Sequence, residues 1–78
     1  MPRVDIGRYE IRIYAADLNE RPHVHIWNVG RHAKYWIDRI EFFSSQGYAS
    51  HELTAIERML HKNHTKLMHE WNKAKARK

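Results

Sequence analysis

A chain of 78 residues with no cysteine, three glycines and two prolines reads as one small domain, because a core of this size draws on most of the chain. It has neither disulfide staples nor thiolate metal ligands. Hydrophobic residues make up 42% and the formal charge is +5, while the mean hydropathy is -0.82, so the core is expected to be thin and an oligomer or partner chain to add to it. No apolar run approaches the roughly 18 residues of a membrane span, and Arg3, Asp5 and Arg8 stand where a signal peptide would carry its apolar core, so a cytoplasmic, membrane-free protein is expected.

In chain order, Val4–Ile6 predicts a short first strand that Gly7-Arg8 turns into a second over Tyr9–Tyr14, where Tyr9, Ile11 and Ile13 alternate with Glu10, Arg12 and Tyr14. That period of two marks a strand with one buried face. Ala15–Pro22 carries loop chemistry in Asp17, Asn19, Glu20 and Pro22. His23–Val29 alternates again, and Gly30-Arg31 can close a hairpin onto His32–Asp38. Arg39–Tyr48 is ambiguous, its Ile40, Phe42 and Phe43 suiting a short helix or an extended strand. Ser50 predicts an N-cap, and Leu53, Ile56, Leu60, Leu67, Met68 and Trp71 then fall on one face of a long helix. Asn63 and Thr65 are weak helix formers at which it can break. The expected architecture is α+β: an antiparallel meander of three or four strands (1–38), a connection (39–49), a helix (50–73) packed on the sheet, and a basic tail (74–78).

Charge is unevenly placed. Up to Leu60 eight basic residues face eight acidic ones, whereas Lys62, Lys66, Lys73, Lys75, Arg77 and Lys78 are opposed by Glu70 alone. Arg58, Lys62, Lys66 and Lys73 recur at helical spacing opposite the apolar stripe, as a solvated face or as a track for a phosphate backbone.

Candidate chemistry lies on the sheet. If Ile11, Ile13, Val24, Ile26, Tyr35 and Ile37 face the helix, the opposite face carries Arg12, Tyr14, His23, His25, Trp27, Lys34, Trp36 and Asp38. Histidines at i and i+2 stand about 7 Å apart on one side of a strand, close enough to act on one phosphate or to share one metal. One reading is therefore RNA cleavage without a metal, with His23 and His25 as the acid/base pair, Lys34 stabilising the oxyanion, and Arg12, Trp27 and Trp36 holding nucleic acid. The alternative is structural: Arg39–Tyr48 or another chain covers the tryptophans, and the histidines are hydrogen-bonded packing residues. A metal would need a third ligand, for which Asp38 and His32 are the candidates, so neither metal nor cofactor is expected. His64, inside the helical apolar stripe, reads as a satisfied core histidine.

The runs Glu20-Arg21-Pro22-His23-Val24-His25-Ile26, Ala33-Lys34-Tyr35-Trp36-Ile37-Asp38 and Gly47-Tyr48-Ala49-Ser50, the last leading into Glu52-Leu53 and Ile56-Glu57, resemble a small prokaryotic family known as domain of unknown function 4160. Met1-Pro2, the Tyr9–Tyr14 strand and Trp71 extend the resemblance over nearly the whole chain. Arg21 and Arg39 stand where family members often carry proline. The resemblance implies a toxin-like component of a type II toxin–antitoxin pair, with a cognate antitoxin encoded nearby as partner; RNA or DNA as a further partner is expected from the basic stripe and the outer sheet face. A non-enzymatic nucleic-acid-binding or regulatory subunit is the alternative, and a homo-oligomer hiding Trp27 and Trp36 a third. No catalytic residue is implied by the resemblance; the roles of His23, His25 and Lys34 rest on geometry.

Overall fold

The computed structural model describes residues 3–14 and 19–76. Five strands, β1 (Arg3–Ile6), β2 (Tyr9–Arg12), β3 (His23–Asn28), β4 (Arg31–Trp36) and β5 (Glu41–Gln46), precede two helices, α1 (Ser50–Lys62) and α2 (His64–Ala76). The strands lie side by side as β1-β2-β3-β4-β5, with every neighbouring pair antiparallel. The α+β class is as expected, but the sheet has five strands rather than three or four, and two helices replace the single one over 50–73. The expected loop over 15–22 falls partly outside the described residues.

The extra strand lies in the segment expected to be a connection. Tyr35 pairs with Phe42 and Lys34 with Ser44, so Phe43 is the additional residue of a bulge. A bulge reverses the alternation of faces along a strand, which is why Glu41–Gln46 carries no period of two. Between β3 and β4, Asn28 pairs with Arg31, so the turn is Val29-Gly30, one residue earlier than Gly30-Arg31. Both turn residues have positive φ, 41° and 73°, as a type I′ hairpin requires.

The inner face is the one the alternation predicts. Ile11, Ile13, Val24, Ile26, Tyr35 and Ile37 are buried together with Ile56 and Leu60 of α1 and Leu67, Trp71 and Ala74 of α2. Tyr35 also ties β4 to α1 through its hydroxyl, which donates to Glu57 Oε2 at 2.8 Å. Burial, then the Glu57 hydrogen bond, holds that hydroxyl protonated far above its ordinary range.

The helix starts at Ser50 rather than being capped by it; Ala49 is the N-cap. Alanine has no side-chain acceptor, so the cap works in one direction, the Ala49 N–H donating to Glu52 Oε1 at 2.9 Å. That bond, reinforced by the charge of Arg31, holds the Glu52 carboxyl ionised below its usual titration range. Between the helices the Asn63 backbone leaves helical values, φ -110° and ψ 17°; the Met59 carbonyl accepts both the Asn63 backbone N–H at 3.0 Å and its side-chain amide at 2.9 Å, while His64 Nε2 donates to the Ile37 carbonyl at 2.7 Å. The break lets both helices keep their apolar faces on one sheet. Helix α2 continues to Ala76 with Ala74 buried, so the expected tail from residue 74 is helical as far as 76; residues 77 and 78 lie outside the described ones. No helix among the described residues is long and apolar enough to cross a membrane.

Candidate functional site

Because both helices pack on the inner face, they leave the outer one open among the described residues except at His23, which Trp71 of α2 meets at its edge. Register assembles that face: Arg12 lies opposite His25, Glu10 opposite Trp27, His25 opposite Lys34, Trp27 opposite His32 and His23 opposite Trp36. The segment expected to shield the tryptophans instead extends the sheet, and its bulge brings Phe43 against Trp36 with ring centroids 5.3 Å apart, edge to face. Trp27 is 36% exposed and Phe43 52%.

Cations interleave these rings. Lys34 Nζ lies 5.1 Å from the Trp36 centroid and 4.5 Å from that of Phe43, and no carboxylate among the described residues pairs with it. Its charge is therefore held by π-faces rather than neutralised. Arg12 stands 5.9 Å over Trp27 and pairs with Glu10. Arg21 stands 5.0 Å over Trp36. It is committed elsewhere, its Nε donating to both Asp38 oxygens at 2.9 and 2.7 Å and its Nη2 to Glu41. The Arg21 bond holds the Asp38 carboxyl below its usual range, so Asp38 serves as a loop latch. Among the described residues no group of three histidine or acidic side chains is placed to hold a metal ion.

The two histidines of the motif differ in environment. His23 is 1% exposed, its Nδ1 donates to the Arg21 carbonyl at 2.8 Å, and its ring is walled by Trp36 at 5.5 Å and Trp71 of α2 at 5.3 Å. His25 is half-buried and its Nδ1 lies 3.0 Å from His32 Nε2. Their ring planes are 17° apart with centroids at 5.3 Å, which, given the short nitrogen separation, describes two rings meeting edge to edge in one plane rather than face to face. His32 in turn tilts against Trp27, centroids 4.3 Å apart, and burial lowers its basicity.

Of the residues expected to act, the fold gathers Arg12, His25, Trp27, Lys34 and Trp36 on one open face and encloses His23 at its edge. Arg58 and Lys62 on α1 and Lys66 and Lys73 on α2 are exposed, but they belong to the helical layer, on the far side of the sheet. The basic stripe and the aromatic face are thus separate surfaces. From spacing alone, His32 reads only as a candidate third metal ligand and Phe43 carries no site role. The even numbering His32, Lys34, Trp36 along one strand already put His32 on the outer face, whereas Phe43 reaches it only through the bulge.

Over residues 9–72 the chain matches the family model described as Domain of unknown function (DUF4160), and it belongs to that family. No curated protein and no solved structure matches it.

Proposed function

We propose that the open sheet face binds single-stranded RNA, and that the protein is the toxin-like component of a two-protein toxin–antitoxin module. The observation that carries the binding is the combination of the exposed Trp27 and Phe43 and the half-buried Trp36 with the ammonium of Lys34, which no described carboxylate neutralises. Exposed aromatic rings offer stacking surfaces to any base, and a neighbouring cation serves the phosphate between bases. The module role rests on the family resemblance alone. The expected result is that Trp27→Ala or Lys34→Gln weakens binding of a fluorescently labelled uridine hexamer at low salt, the tryptophan change by about 5- to 100-fold, as the loss of one base stack of roughly 1–3 kcal/mol requires. Unchanged anisotropy titrations for both variants would remove the reading.

One observation favours a protein interface instead: β5 is an edge strand whose Phe42 is 50% exposed. A partner strand adding there would cover Phe42 and satisfy the free edge. Co-expression with the product of the adjacent gene tests this. A complex in which Phe42→Ser abolishes capture supports an antitoxin seated on β5.

A further inference from the structure

Beyond the aromatic and cationic groups of the open face, the molecule holds the Arg21, Asp38 and Glu41 latch, the Tyr48 hydroxyl, and the His25–His32 pair. The latch is satisfied within itself. The Tyr48 hydroxyl is buried with no partner among the described residues, yet nothing around it points to a ligand. The histidine pair carries more.

Two imidazoles joined nitrogen to nitrogen hold one proton between them, since one nitrogen must donate and the other accept. When His32 Nε2–H donates to His25 Nδ1 at 3.0 Å, the lone pair of His32 is left on Nδ1, and no described residue hydrogen-bonds that atom. A base whose rear N–H is held by an acceptor has its tautomer and ring orientation set in advance. His32 also stands beside Trp27, where a stacked nucleobase would place its ribose, and two residues before Lys34 on the same face of β4, about 7 Å along the strand.

We propose that His32, positioned by His25, is the general base for intramolecular cleavage of RNA, taking the proton of a ribose 2′-hydroxyl as that oxygen attacks the adjacent phosphodiester. The proposal rests on the RNA-binding reading above. The 2′-oxygen–phosphorus bond forms while the phosphorus–5′-oxygen bond breaks, and the electron pair leaves on the 5′-oxygen, which takes a proton from the Lys34 ammonium. The products are a 2′,3′-cyclic phosphate and a 5′-hydroxyl. The proton on His32 passes through solvent to the Lys34 amine, so nothing is consumed beyond the RNA. Burial, which lowers the basicity of His32, keeps the imidazole neutral near pH 7 and able to accept. The ionisable groups on this face are Arg3 and Asp5 from β1, Glu10 and Arg12 from β2 with Tyr14 just beyond it against the His25 ring, His23 and His25 from β3 and Lys34 from β4; β5 contributes Ser44 and Gln46 opposite β4, and the helices pack on the other side of the sheet, reaching this face only where Trp71 meets the enclosed His23.

The test uses the full chain with an oligoribonucleotide and its all-2′-deoxy counterpart. The wild type should yield a 2′,3′-cyclic phosphate terminus from the first and bind the second intact. His32→Gln should lose about 100-fold or more in cleavage rate while binding the deoxy oligomer within twofold, and imidazole added to His32→Ala should restore part of the rate. His25→Gln, a change to a positioning residue, should lower the rate about tenfold and displace the midpoint of the pH–rate profile, which a merely structural role would not move. If His32→Gln fails to fold, the wild-type profile decides: the rate should rise with one deprotonation in the histidine range, and a flat profile overturns the assignment. Binding of both oligomers without cleavage by the wild type overturns this proposal and leaves the binding reading standing. Failure to bind either removes both, and full activity in folded His32→Gln removes His32.

Discussion

At the scale of single residues, neighbours two apart in one motif have been given opposite environments. His23 and His25 point to the same side of β3, yet Trp71 from α2 and Trp36 from β4 close over His23, leaving it 1% exposed with its Nδ1–H spent on the Arg21 carbonyl. A proton donor so enclosed is poorly placed to meet a substrate on the surface, and its energetic weight is that of a packing residue. His23→Ala should accordingly destabilise the fold by about 2–4 kcal/mol, the sum of lost contacts and a lost hydrogen bond, lowering the melting temperature by at least about 8 °C for a domain of this size. A melting curve unchanged within about 2 °C would return His23 to the list of acting residues. Lys34 is the converse case: its ammonium is held by two rings and paired with no described carboxylate, so its removal should be felt in binding rather than in folding.

At the scale of elements, the hairpin between β3 and β4 does the most to define the site, since its register sets His25 opposite Lys34 and Trp27 opposite His32. Its turn is nevertheless built at a cost. Val29 is a β-branched residue at φ 41°, and it is 93% exposed, so it is strained without any packing in return. Asparagine tolerates this region and Asn-Gly is a favoured type I′ pair. Val29→Asn should therefore stabilise the protein by about 1 kcal/mol, raising the melting temperature by about 4–8 °C in a thermal unfolding scan followed by circular dichroism; an equal or lower melting temperature would mean that the valine makes a contact outside this chain. The β5 bulge is a second defining irregularity, because it alone turns Phe43 toward Lys34 and Trp36.

At the scale of the molecule, charge and aromaticity are sorted onto opposite sides. The sheet interposes the buried layer between the outer aromatic face and the exposed Arg58, Lys62, Lys66 and Lys73 of the helices. A short strand stacked on the sheet does not need the helical cations. The double change Lys62→Gln with Lys66→Gln should thus leave both the affinity for a uridine hexamer and its log-log salt slope unaltered, whereas Lys34→Gln should flatten the slope by about 0.7, the contribution of one phosphate on a single strand. Flattening by about 1.4 in the double variant would place the strand along the helices and move the site to the other side of the protein.

What was legible in the sequence was parity and amphipathicity. The alternation of Ile11 with Arg12, Val24 with His25 and Tyr35 with Trp36 separates an inner from an outer face, and the period of the helical stripe picks out Ile56, Leu60, Leu67 and Trp71; both follow from local geometry, which any strand or helix obeys. His64 likewise sits half-buried and hydrogen-bonded where its stripe put it. The tertiary structure decided the rest. The fifth strand was hidden because its bulge destroys the period by which strands are recognised, and the helix divides at Asn63 because the backbone there leaves helical values, φ -110° and ψ 17°, while both halves must reach one sheet. The enclosure of His23 depends on Trp71, 48 positions away in the chain, and the meeting of His25 with His32 depends on a turn at Val29-Gly30 rather than one residue later. Residue spacing limits which side chains share a face, but which of them touch is set by register and by the path of the helices, and those are products of long-range packing.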